Sequence, residues 1–175
     1  MMRLTILLSV SALLAAPVAA DEAADMADLS KRAFMAEYEA SFVASIAVQR
    51  ELFMRFDPDL AEDAILDGPV SEAELAAMEC TYDALAASNG LEGLARQVLL
   101  ARTMEQMAED NPSMDIVDLF MNKDMLLAEV DDIPSEVLSA MSDCGSISAS
   151  TERLNFTPDV WQDLGAAGEA RGYTQ

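Results

Sequence analysis

In the stretch LSKRAFMAEYEASFVASIAVQRELFMRF, residues 29–56, the side chains Phe34, Tyr38, Phe42, Ile46, Phe53 and Phe56 recur at steps of three, four and seven. That spacing lines one face of an α-helix. A strand, whose side chains alternate faces, cannot bring these residues together on one side. The run therefore predicts a long amphipathic helix, and its apolar stripe has to be covered by other elements. No alternating strand pattern persists anywhere in the chain.

Local signals divide the remainder into further helices. Asp57 and Pro58 suit a helix start, and Gly68 a stop, so DPDLAEDAILDG reads as a short helix. It also begins D-x-D like a calcium loop. However, Glu62 stands where that loop needs Gly, and Gly68 where it needs Glu, so a capped helix is expected instead. Ser71 and Glu74 form a capping box, in which each side chain can accept from the other residue's backbone N–H. The helix that follows places Leu75, Met78, Tyr82 and Leu85 on one face and closes at Ser88-Asn89-Gly90. LEGLARQVLLARTMEQMAED resumes at once, and so short a connection predicts an antiparallel helical hairpin. Asn111-Pro112-Ser113 is a break, MDIVDLFMNKDMLLAEV reads as helix, and DDIPSEVLSAMSD as a shorter helix around Pro134. CGSISASTERLNF reads as a loop. Thr157 and Pro158 open a last helix, and the tail 171–175 is expected to fray. The fold expected is all-α: a single compact domain, residues 21–175, of about six helices bundled around the central hairpin.

The segment SEAELAAMECTYDALAASNG resembles in part the helical hallmark of a widespread family of small exported bacterial proteins of unknown function. Glu74-Leu75 and Tyr82 have the separation of that hallmark, but Thr81, Ala84 and Ala87 depart from it. The resemblance implies an exported all-α domain and names no activity.

The N-terminus points to export. Arg3, the uncharged apolar run LTILLSVSALLAA and the small residues of PVAA have the order of a secretory leader, with the cut expected between Ala20 and Asp21. The run is too short for a spanning helix and ends at Pro17. No cysteine follows the cut, so no lipoprotein is expected, and no later segment is long and apolar enough to span a bilayer. The mature chain is expected to be periplasmic, or secreted if the source is not Gram-negative.

Export sets the reading of the two cysteines, Cys80 and Cys144. An oxidising compartment favours a disulfide, and two cysteines leave one connectivity. The alternatives are poorly served, because there is no Cys-x-x-Cys and no histidine to activate a cysteine nucleophile.

The missing histidine also removes the commonest general base near neutral pH and the usual zinc and non-haem iron ligands. No glycine-rich phosphate loop and no S-x-x-K is present. With 32 Asp and Glu against 10 Lys and Arg, the formal charge is −22, or −23 once Arg3 leaves with the leader. Such a chain repels nucleic acid and anionic headgroups. The acid excess suits a solvated surface, with a basic partner or divalent-cation binding as alternatives.

Besides the failed calcium loop, two weak chemical constellations and one candidate contact surface remain. Glu79 with Asp83, and Glu105 with Glu109, are one turn apart and could act as paired carboxylates in a hydrolase. Met104, Met107, Met114, Met121 and Met125 could bind Cu(I), form an adaptable contact surface or simply fill a core, and core is the reading preferred. The aromatic stripe Phe34, Tyr38, Phe42, Phe53 and Phe56 is the candidate contact surface, with core packing as its alternative, while Phe120 and Trp161 are expected in the core. No enzymatic activity, catalytic residue, cofactor or resident metal is expected. The functional expectation is a non-catalytic protein-interaction or structural module of the cell envelope, acting on a protein partner or as a homodimer. The alternatives are a small-molecule or metal-ion binding module and, more remotely, a carboxylate hydrolase.

Overall fold

The computed structural model describes residues 20–66, 68–121 and 134–173. Among them are nine helices: α1 (Ala20–Ala27), α2 (Lys31–Phe56), α3 (Pro58–Ala64), α4 (Glu72–Ser88), α5 (Leu91–Asp110), α6 (Ile116–Met121), α7 (Ser135–Asp143), α8 (Ser146–Arg153) and α9 (Pro158–Ala170). The sole β feature among the described residues is an isolated antiparallel bridge between Ile65 and Leu154. The all-α expectation holds, and the additional helices are short. Residues 1–19, which carry the expected leader, and residues 122–133 lie outside the described residues.

Local chemistry sets most helix ends. The Ser30 hydroxyl accepts from Ala33 N, and Thr157 accepts from Val160 N with Pro158 just inside the helix. Ser71 and Glu74 complete the capping box in both directions. Asn89, at φ 61°, turns the chain into the left-handed region after α4, and Gly90 N donates back to Leu85 O at 2.8 Å. Asp57 accepts from Asp59 N at 2.9 Å, so the D-x-D start is a helix cap. Gly68 does not end α3. That helix stops at Ala64, and Gly68, at φ +140°, turns the following loop.

Helix α2 runs through two core clusters. Its first half joins α1, α4, α5 and α7 around Phe34, Tyr38, Tyr82, Leu85, Leu94 and Val98. Its second half joins α3, α6 and α9 around Leu52, Phe53, Ile65, Ile116, Val117 and Leu164. Phe42 packs against both clusters and so marks the waist between them. Helix α5 lies along α2. Gly93 lets α7 sit close upon α5, because a Cβ there would come within 2.7 Å of Val137 and 3.1 Å of Pro134.

These contacts correct the contact-stripe expectation. Phe34, Tyr38 and Phe53 are buried, and Phe42 and Phe56 are partly buried against the core. A helix 26 residues long, with neighbours packed on its aromatic face, buries that face instead of presenting it.

Two segments read from sequence as irregular are ordered by tertiary contacts. Residues 146–153, read as loop, form α8. Its Ser150 and Thr151 hydroxyls donate back to the carbonyls of Ser146 and Ile147, and Ser146 meets Thr81 of α4 at 2.8 Å. Residues 171–173, read as a frayed tail, are held: Arg171 binds Asp115 and Asp118, and the Tyr173 hydroxyl donates to Asp118 at 2.8 Å. Helix α1, which no strong sequence pattern marked, buries Ala23 and Met26 in the first cluster.

Candidate functional site

Two arginine clamps fix the C-terminal third of the chain, and both close on capping boxes. At the first, Glu74 of the α4 box receives Arg153 from the end of α8. Arg153 Nε donates to Glu74 Oε1 at 2.5 Å and Nη2 to Oε2 at 2.7 Å, a fork on a carboxylate. The same guanidinium donates to the carbonyls of Gly68 and Pro69 and lies over the Phe42 ring, 5.7 Å from its centroid. The Glu74 and Arg153 side chains are only 7% and 11% exposed. Arg153 holds the Glu74 carboxyl down at about 2, against the opposing pull of burial, with help from the Ser71 hydrogen bonds.

The second clamp closes on Asp115 and Asp118. Asp115 Oδ1 accepts from Val117 N at 2.9 Å, while Asp118 Oδ2 accepts from Asp115 N at 3.1 Å. Arg171, at the end of α9, then grips Asp115 through both Nη atoms, at 2.8 and 2.6 Å, and reaches Asp118 at 2.9 Å. Burial pushes the Asp118 carboxyl up, but the Tyr173 hydroxyl, the Asp115 N–H and Arg171 outweigh it and leave the group below its ordinary range. The two clamps follow one logic. A helix N-terminus favours anionic groups and a C-terminus cationic ones, so an arginine closing one helix meets an acid opening another.

Between the clamps lies an aromatic surface. The segment after Arg153 carries Phe156 onto Phe53 of α2, with ring centroids 5.5 Å apart. Phe156 also meets Phe120 of α6 at 5.7 Å and Trp161 of α9 at 5.0 Å, both edge to face, and Phe120 meets Trp161 at 6.2 Å. Trp161 is the outermost ring and is 48% exposed. The core expectation thus holds in part for Phe120, which packs against the second cluster, and is corrected for Trp161. Trp161 falls on the outer side of α9 while Val160 and Leu164 fill the inner side, and only the docking of α9 decides which side is which.

A covalent tie supports the other end of this unit. The Cys80 and Cys144 sulfurs lie 2.02 Å apart with Cα atoms 5.6 Å apart, linking the middle of α4 to the residue that closes α7. Beside it, Thr81 and Ser146 share a buried hydroxyl contact, and burial pushes the nearby Tyr38 hydroxyl up to about 12 even though Ser146 opposes the shift.

The remaining sequence candidates stay scattered. Glu79, Asp83, Glu105 and Glu109 are all exposed, and Asp83 pairs with Lys31 at 2.6 Å. Met104, Met107 and Met114 pack into the second core cluster, while the Met121 side chain and Met125 lie outside the described residues. Among the described residues no three acids or cysteines converge as a metal ion would require. No helix among them is long and apolar enough to cross a membrane.

No protein-family model matches the chain, and neither a curated protein nor a solved structure matches it significantly.

Proposed function

We propose that the protein is an exported, non-catalytic protein-interaction module of the periplasm whose contact face is the aromatic surface at Trp161. One observation carries this reading: a half-exposed tryptophan, backed edge-on by Phe120 and Phe156, sits on a helix anchored at one end through Arg171 and preceded by a segment anchored through Arg153. Rigid, partly solvated tryptophans of this kind dominate interface energetics because they bring much contact area with little rotamer entropy to lose. The Cys80–Cys144 pair fits an oxidising compartment.

The test is site-specific photo-cross-linking in the source cells. A cross-linking residue at Gln162 should trap a defined partner, and a second at Val43, exposed on α2, should not. Trp161→Ala should abolish the Gln162 adduct while circular dichroism shows the fold intact. Equal adducts from both positions, or an adduct indifferent to Trp161→Ala, would overturn the proposal.

A further inference from the structure

We infer that the Cys80–Cys144 bond is a reducible latch: a dithiol opens it from the Cys80 side, and α7 and α8 then lift from α4 while the rest of the fold stays in place. The inference stands apart from the contact face proposed above.

The first ground is access. Cys80 is exposed on α4, and Cys144 is half-buried. Thiol–disulfide exchange begins at a sulfur that a thiolate can reach. One thiolate of the dithiol attacks Cys80 Sγ, the S–S bond breaks, and Cys144 leaves with the electron pair and takes up a proton. The second thiolate of the reductant then attacks its own sulfur in the mixed disulfide and releases Cys80, which is protonated in turn. Two electrons and two protons pass to the cysteines, and the dithiol becomes a disulfide.

The second ground is how little else holds these two helices, which pack on α4. Helix α7 fully buries Val137 alone, with Ala140 and Met141 partly covered, and α8 fully buries Ser146 alone. Neither helix has a side-chain hydrogen bond at its N-cap. At nine and eight residues, neither is long enough to persist in water without packing. The buried contacts of Ser146 are with the hydroxyls of Thr81, at 2.8 Å, and Tyr38, groups that water can also satisfy. Segments with so few buried apolar contacts open before the fold as a whole does.

The third ground is a joint and a boundary. Gly145 connects α7 to α8 at φ +80°, and a Cβ there would meet nothing within 4 Å. Opening stops at Arg153. Its fork on Glu74, its bonds to the carbonyls of Gly68 and Pro69, and the bridge between Ile65 and Leu154 pin the end of α8. The Phe156–Trp161 contact lies beyond that anchor.

The test compares the oxidised full mature protein, the same protein reduced with dithiothreitol, and the Cys80→Ser, Cys144→Ser double variant. In the oxidised protein, dithiothreitol should reduce the bond at a rate indifferent to low urea, since no unfolding is required. A rate that climbs with urea as global unfolding does would overturn the latch. With glutathione as a single-thiol probe, the mixed disulfide should map to Cys80, and an adduct on Cys144 would overturn the assigned point of entry. Circular dichroism should show both reduced forms still helical; collapse of the whole fold would mean that the bond holds more than α7 and α8, and the inference would fall. By hydrogen exchange, amides in residues 136–152 should exchange more than about tenfold faster in either reduced form than in the oxidised protein, with little urea dependence, because local opening exposes little surface. Amides of α2 and α5 should instead follow the urea dependence of global unfolding. If residues 136–152 share that dependence, the bond is a staple only and the latch is refuted. Trp161 is the single tryptophan, and its emission should keep the oxidised wavelength on reduction; a shift would overturn the boundary at Arg153.

Discussion

Replacing Glu74 with Gln removes one charge from the first clamp and keeps the side chain's size and its capping role, since Gln also serves in a capping box. The Glu74 carboxyl sits at about 2 in the fold, against 4.5 for the free group. At about 1.36 kcal/mol per pH unit, that difference contributes about 3 kcal/mol of stability at neutral pH. The sign follows from the depressed folded value. The contribution is complete well above pH 4.5 and is lost as pH falls towards 2. Linkage leaves about 2 kcal/mol at pH 3.5 and about 1 kcal/mol at pH 2.5. Glu74→Gln should therefore be about 3 kcal/mol less stable than the parent at pH 7, a melting difference of about 10 °C for a chain of this size, and the gap should close on acidification. Urea unfolding followed by circular dichroism at pH 7, 3.5 and 2.5 measures it. The other acids titrate in both proteins, so the difference isolates Glu74. A gap that does not change with pH, or one below about 1 kcal/mol at pH 7, would refute the clamp as described. Arg153→Met in the Glu74→Gln background should cost less than Arg153→Met alone, because the two side chains share one interaction.

Two further outcomes are expected. Reduction of the Cys80–Cys144 bond, which closes a 64-residue separation, should remove about 4 kcal/mol and lower the melting temperature by about 10 °C; unchanged melting in a reducing scan would show that the bond constrains nothing. Arg171→Leu should cost about 2 kcal/mol and Tyr173→Phe about 1 kcal/mol, since each deletes hydrogen bonds to the Asp115–Asp118 box, and both should speed carboxypeptidase digestion past residue 170; parental resistance in both variants would mean that the tail is held by other contacts.

Helix positions were legible in the sequence because their causes are local. The Thr157 cap, the Ser71–Glu74 box and the Asn89–Gly90 turn each act over a few residues and would do so in almost any fold. Asp115 and Asp118 carried a signal of the same kind, an acid at the cap and another three residues on, which a search for capping boxes could have found. Helix α8 was hidden because Ser and Thr compete for backbone hydrogen bonds, so its sequence favours no helix until Ser146 is buried against Thr81.

By itself the sequence determined that the chain is helical and where most helices begin, because periodicity and capping operate within one or two turns. It also left one partner for each cysteine and removed histidine chemistry. Only the tertiary structure decided which aromatic residues face solvent. The stripe on α2 and the ring of Trp161 carry similar local patterns, and burial depends on what packs across from each. The clamps belong to the same class: Arg153 meets Glu74 across 79 residues and Arg171 meets Asp115 across 56. No local rule selects those partners, because pairing at that range is fixed by the docking of whole helices, which brings one helix's last turn onto another's first.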